Sequence, residues 1–566
     1  MSVTVHAELV VRNGKIFTAA EDEPATATGF AVADGVFTAV VQDDAELAPA
    51  IGPSTTVIDL AGGSVVPGLV DAHIHHILGG KMLLRELYFP STLSLEEALQ
   101  EIDEWARKLP AGAWLVGGSW GSTLLDEVAT VQARHRLDAV SHGHPALLTD
   151  DSHHNAWVNT AALLAAGLPP EGDADLPEGA VADADTGELT GALFERAVDP
   201  VRDAQARAEE DSLEDLKSYA LEAWKLLHSY GVTGIQDAAM HQAGLEALIA
   251  MDEEGSLKGW VSCCLCLHGG LVTERPGFDP ADFDRYAREH HRDRVRTDFA
   301  KIFLDGVPPT RTAGMLEPYL PSREHGHDHH GLVYMNVEEL IETLREYGRQ
   351  GRSTKIHCTG DWSAKVAIDA FEALRKEGSN ETFQIAHGQF LAPEDRRRMA
   401  ELEIVAEISP FIWYPGVIPS AIATVLPESV ALKMQPNREL LELGVLVAGG
   451  SDWSVVPTPN AWEGIGGLVT RADPLGQFAG TLWEEQAVPV EEALRIFTIN
   501  GAKAARLDDV LGSIEVGKAA NFVIIDRDPF TIDPKEIGAT KALSTFVAGE
   551  AVYNADASPV GEPDRL

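Results

Sequence analysis

Between residues 63 and 452 the chain alternates short apolar runs with segments whose apolar residues recur at helical spacing. The runs are "GSVVPGLVDAHIHH" at 63, "GVTGIQDAA" at 231, "LKGWVSCCLCLH" at 257, "DFAKIFLDGV" at 298, "RSTKIHCTGD" at 352, "ETFQIAHGQ" at 381, "EIVAEISPF" at 403 and "GVLVAGGSD" at 444. They are continuously apolar rather than alternating, which is the pattern of strands buried on both faces. Intervening stretches such as "NVEELIETLREYGRQG" and "SAKVAIDAFEALRKEG" end in glycine after a helical repeat, a helix with its stop signal. Eight strands separated by helices predict a (β/α)8 barrel over residues 67–510. Residues 1–66 and 511–566 instead read as short strands with turns and predict one small β domain built from both chain ends. Residues from about 82 to 210 form an insertion after the first barrel strand, and its acidic stretch "GLPPEGDADLPEGAVADADTGELTG" reads as an exposed loop.

Composition narrows the function classes. The 566 residues are 45% hydrophobic and 23% charged, an ordinary globular balance with enough chain for a large core. The 88 acidic residues outnumber 44 basic ones, and the formal charge of -44 repels phosphate backbones and anionic lipid, so neither nucleic acid nor membrane is an expected partner. The N-terminal "MSVTVHAELVVRNGK" lacks the charged and apolar segments of a secretory signal, and no run of about 18 apolar residues occurs. A soluble, cytoplasmic protein is expected, with a homodimer left open. Cys263, Cys264, Cys266 and Cys358 lie in apolar surroundings and read as buried core thiols, although Cys264, Cys266 and His268 have the residue types of a metal site.

The first run ends in residues that are costly to bury. Alternate residues of a strand share a face, so Asp71, His73 and His75 point one way, and His76 falls on the other face or in the loop. Two imidazoles side by side at the C-terminal end of a barrel strand, where barrels place their chemistry, form a metal-binding pair. Other runs carry their own polar exceptions: Lys301, His357, His387 and Asp452. Each alone reads as a hydrogen-bonding residue at a strand end. Together, six metal-type groups converge on one end of the barrel.

These motifs, from "PGLVDAHIHH" through "KIFLDGV", "KIHCTGD", "IAHGQF" and "GGSDWSVVPTPN" to "FTINGAKAARLDDVLGSIEVGKAANFVIIDRDP", resemble the amidohydrolase superfamily, and within it the YtcJ-like branch (amidohydrolase family 3). The insertion motifs "GGSW", "DDSHHNAWVNTAAL" and "LTGALFERA" resemble that branch too. The resemblance implies a distorted TIM barrel with a β-sandwich from both ends. It implies metal ligands at His73, His75, Lys301, His357, His387 and Asp452, holding one or two zinc ions per chain, with manganese or cobalt as substitutes. Lys301 would serve as a carbamate formed with carbon dioxide. A lysine paired with an acid such as Asp305 is the alternative, and would leave a mononuclear site. Asp452 would act as general acid/base for water activated by the metal, and His154 would contact the substrate carbonyl, with His153 as its competitor. The implied activity is hydrolysis of a carbon–nitrogen bond in a small substrate, in a branch that includes N-substituted formamide deformylase. Trp120, Phe411, Trp413 and Tyr414 are expected to form an aromatic mouth, and Arg311 to offer a carboxylate contact. A decarboxylase on the same scaffold, or a ligand-binding relative without turnover, is the alternative.

Overall fold

All eight apolar runs become strands of one parallel sheet in the computed structural model: β1 (Leu69–Ile74), β2 (Val232–Met240), β3 (Trp260–Cys266), β4 (Val295–Phe303), β5 (Ser353–Cys358), β6 (Phe383–His387), β7 (Val405–Ile408) and β8 (Val447–Gly449). The structure describes residues 6–21, 25–90, 93–121, 124–150, 155–172, 176–177, 179–208, 211–266, 278, 283–322 and 326–555. Sequential strands pair in order from β1 to β8, and every residue of β1, β2, β3, β5, β6, β7 and β8 is buried, which explains the unbroken apolar runs. The sheet is nearly closed. Just past β8, Asp452 N donates to His73 O at 2.7 Å and His75 N donates to Trp453 O at 2.6 Å, joining the last strand to the first.

The predicted helices are present at Val337–Arg349 and Asp361–Lys376. The first starts with a capping box in which Asn336 accepts from Glu339 N and the Glu339 side chain accepts from Asn336 N, so two otherwise orphaned donors are satisfied. Both chain ends contribute to a β-sandwich of a four-stranded and a six-stranded sheet. In the latter, Ser64–Pro67 pairs antiparallel with Phe522–Ile525, so the two termini share one ladder. Phe30, Phe37, Phe522 and Phe546 fill its core, Phe522 and Phe546 stacking with ring centres 4.3 Å apart.

The chain divides into two compact units, one holding sandwich and barrel and the other Ile77–Glu222. The insertion is thus longer than the expected 82–210, because the helices His76–Arg85 and Leu213–Ser229 carry the chain across its boundaries. It has its own six-stranded sheet, with Ala146–Asp150 and Asn155–Val158 at the centre, and its own core around Leu99, Ile102, Leu148 and Trp157. Within its acidic stretch, Ala180–Ala182 and Leu189–Phe194 pair antiparallel, and Asp183 N donates to Glu188 O at 2.8 Å across the turn. Among the described residues no helix is long and apolar enough to cross a membrane.

Candidate metal centre

The seam between β8 and β1 creates the centre. Because Asp452 N and His75 N are both committed to it, the Asp452 carboxylate is delivered beside the end of β1: its Oδ1 lies 3.4 Å from His73 Nε2 and 3.3 Å from His75 Nε2. His387, the last residue of β6, brings Nδ1 to 3.9 Å from Asp452 Oδ2 and its ring to 4.7 Å from that of His73. His73, His387 and Asp452 offer donor atoms that all lie within 4.8 Å of one another, and all three side chains are buried. His357 on β5 stacks edge-on to His387 at 4.4 Å, with its Nε2 3.0 Å from Gly306 O. Five of the six expected ligands are therefore joined by direct contacts.

Two of these residues sit in left-handed backbone, His387 at φ 71° and Asp452 at φ 57°. Such a conformation costs a non-glycine residue about 1 kcal/mol or more and persists only where the surroundings enforce it. For His387 the enforcement is visible: Gln435 Nε2 donates to His387 O at 2.7 Å, and the buried Arg471 in turn donates to Gln435 O and Met434 O. Ser409 O lies 3.0 Å from His387 Nδ1 and orients the ring.

Burial governs the charges. It holds His73 well below the ordinary imidazole range, helped by the Lys301 and Lys355 ammonium groups, and it does the same to His387, helped by His357 and His73. His357 is pushed down to about 3 by burial and by Lys301. Neutral imidazoles with free lone pairs are what a cation needs. Lys301 is buried on β4, its Nζ without a hydrogen-bond partner among the described residues, and burial together with Lys355 pushes it down to about 8. It is not paired with Asp305. That carboxylate instead accepts from Thr359 N, Gly360 N, Gly314 N and Ser363 Oγ, and so ties the loop after β4 to the helix after β5.

The residues expected to form an aromatic mouth are packed against their neighbours. Trp413 is 0% exposed and its Nε1 donates to Gly464 O at 3.0 Å, so the indole is wedged against the helix Ala461–Thr470. Trp120 is 1% exposed within the insertion core and donates to Leu148 O at 2.9 Å. Phe411 lies tilted on Trp413 at 5.4 Å, and Tyr414 presses on Gly467 of the same helix. Arg311 donates to Leu320 O and covers the Tyr319 ring, bracing its own loop rather than awaiting an anion. All four cysteines are buried and none forms a disulfide among the described residues, as core thiols. His153, His154 and His268 lie outside the described residues. His76 pairs with Asp237 at 2.8 Å.

Sequence reasoning overlooked two buried charges beneath the centre. Glu407 on β7 and Lys355 on β5 are both 0% exposed, and Glu407 Oε2 lies 2.5 Å from His73 Nδ1. Both interrupt apolar runs, the signal that marked the six expected ligands.

Residues 56–553 match the sequence family described as "Amidohydrolase family". N-substituted formamide deformylase of Arthrobacter pascens is 28% identical over 543 residues, covering 91% of this chain and 93% of its own. YtcJ of Bacillus subtilis is 28% identical over 514 residues, covering 88% and 91%. Among solved structures, an uncharacterized metal-dependent hydrolase from Pyrococcus furiosus superposes with a TM-score of 0.72 at 23% identity, covering 92% of this chain and all of its own, a likeness of fold.

Proposed function

Because the chain belongs to the amidohydrolase family, whose members are metal-dependent hydrolases acting on carbon–nitrogen bonds, we propose that it cleaves a small, apolar N-substituted amide or formamide with one or two zinc ions per chain. The observation that carries this reading is the buried cluster of His73, His387 and Asp452 at the C-terminal end of the barrel. The donor set fits the ion: imidazole nitrogens and a carboxylate are zinc ligands, and the imidazoles are held neutral. His73, His75, His387 and Asp452 would hold the metal, and His357 and Lys301 would be available to hold a second ion. When bound, zinc supplies Lewis-acid polarisation of a carbonyl oxygen and lowers the pKa of water from about 15.7 towards 7.

The chain's own residues do the rest. Lys301 Nζ, unpartnered and eased towards the neutral amine, bonds to the carbon of carbon dioxide and releases a proton, giving a carbamate with two ligand oxygens. Asp452 takes the proton of the attacking water as its oxygen bonds to the substrate carbonyl carbon. It then returns that proton to the nitrogen as the carbon–nitrogen bond breaks. An apolar substrate is favoured by the segments that follow β4, β5, β7 and β8, which expose Leu332, Tyr334, Trp362, Val417 and Val455. The deformylase relative supports the formamide class.

The test is a panel of benzyl and aryl formamides and amides, together with aromatic acids, given to the zinc-loaded protein with products identified by mass. Release of formate and amine, abolished by chelator and restored by zinc, is expected. Carbon dioxide from an aromatic acid with every amide intact overturns the proposal.

A further inference from the structure

Below the candidate ligands, the barrel interior contains an ion pair that the reaction itself does not use. Glu407 reaches from β7 and Lys355 from β5, and both meet β1 at one place. Glu407 Oε2 lies 2.5 Å from His73 Nδ1, while Lys355 Nζ lies 3.6 Å from the same oxygen and donates to Ala72 O at 2.5 Å. Ala72 and His73 are neighbours in the chain, so one carboxylate and one ammonium clasp both the backbone and the ring of the residue that faces Asp452.

We infer that Glu407 is a positioning residue for metal binding: it accepts the Nδ1 proton of His73, which fixes the tautomer and leaves Nε2 as the atom presented to the cation, with Lys355 balancing its charge. The inference rests on His73 being a ligand, as proposed above. The geometry allows little else. His73 Nε2 is the nitrogen on the Asp452 side, at 3.4 Å, so Nδ1 is the one left for Glu407. A neutral imidazole carries one proton, and a carboxylate acceptor draws it to Nδ1. Such a carboxylate–histidine–metal relay also raises the basicity of the ligand nitrogen, and its loss typically costs 10–100-fold in metal affinity.

Removing Glu407 alone would leave Lys355 as an unpaired buried cation, confusing a folding defect with a metal defect. The informative variant is Glu407→Met combined with Lys355→Met, which removes the pair together and keeps the volume apolar. Zinc affinity is measured by competition with a chromophoric chelator, beside unfolding of the metal-free protein and the visible spectrum of the cobalt-loaded protein. His73→Ala is the control. The expected result is a zinc Kd raised 10–100-fold and an altered cobalt spectrum, with the metal-free midpoint close to wild type. Wild-type zinc affinity in the double variant, while His73→Ala loses zinc, overturns the positioning role and leaves the metal centre standing. Wild-type zinc affinity in His73→Ala overturns both. If the double variant does not fold, Glu407→Leu combined with Lys355→Gln takes its place in the same competition, and an unchanged Kd there overturns the inference.

Discussion

Replacing Trp413 by alanine separates a substrate contact from a core residue. The side chain is fully buried, packs on Phe411 and donates its indole N–H to Gly464 O. Burying about 200 Å² of aromatic surface at about 25 cal/mol per Å² is worth about 5 kcal/mol. The direct record of large-to-small aromatic substitutions in cores gives about 3–5 kcal/mol, cavity included. The two routes agree, so Trp413→Ala should destabilise by about 4 kcal/mol, some of it from the Gly464 carbonyl left without its donor. Trp413→Phe keeps the ring contact and loses the hydrogen bond, and should cost about 1–3 kcal/mol. Urea unfolding of the metal-loaded protein reads both, and KM for any cleaved formamide is measured alongside at a temperature where the variants remain folded. KM should change by less than about twofold, since the indole reaches no solvent-facing surface through which a remote substrate group is held. A Trp413→Ala protein as stable as wild type, with KM raised about tenfold, would refute the packing argument and restore the aromatic mouth.

Four other perturbations test the centre and its frame. Asp452→Asn keeps an oxygen ligand but removes the proton carrier, so turnover should fall at least about 100-fold with zinc still bound; equal turnover would assign the base to another group. Lys301→Ala should lower zinc occupancy and activity together, and intact-mass analysis should find a carboxyl adduct on Lys301 in the wild type. An unmodified lysine in fully loaded, active enzyme contradicts the carbamate. Gly450→Ala adds a methyl group 2.5 Å from His73 Cβ and 2.6 Å from His73 N, so zinc affinity should drop, as equilibrium dialysis would reveal; unaltered affinity would mean that the seam can yield. His228, buried and donating to Lys258 O, is pushed down to about 4 by burial, whereas its unfolded value is 6.5. Unfolded chains then bind the proton first, so stability is intact above pH 6.5 and declines as pH falls to 4, by about 3 kcal/mol in total. His228→Gln should flatten that portion of the pH–stability curve, and superimposable curves would disprove the assignment.

What the sequence made legible follows from how burial writes itself into a chain. The barrel strands are enclosed on both faces, so each appears as an uninterrupted apolar run, and a polar residue inside such a run stands out whatever its neighbours. That is why His73, Lys301, His357, His387 and Asp452 were identifiable before any contact was known. The strands of the insertion are less visible: Leu115–Trp120 includes two glycines and a serine, and its central residues are only half-buried. Glu407 and Lys355 obey the same rule as the ligands and still escaped notice, because a polar residue in an apolar run announces a buried partner without naming it. Glu407 meets the far nitrogen of His73, Lys355 meets Glu407 and Ala72 O, and only the closed barrel brings β5 and β7 to β1. The aromatics failed for the converse reason. Trp413 follows β7 in a loop at the chemical end of the barrel, the local context of a substrate-facing residue. Its side chain is turned instead onto Ala461–Thr470, a helix some 50 residues later whose Gly467 leaves room for Tyr414 and the indole and whose Gly464 leaves room for Phe411. The glycines were as plain in the sequence as the tryptophan, but pairing them required knowing that this helix follows β8 and returns alongside the loop after β7. Residue type at a strand end therefore predicts a shared buried cluster well where the residue is costly to bury, as with histidine and aspartate. It predicts poorly where burial is favourable in its own right, because an aromatic gains as much from the core as from a ligand.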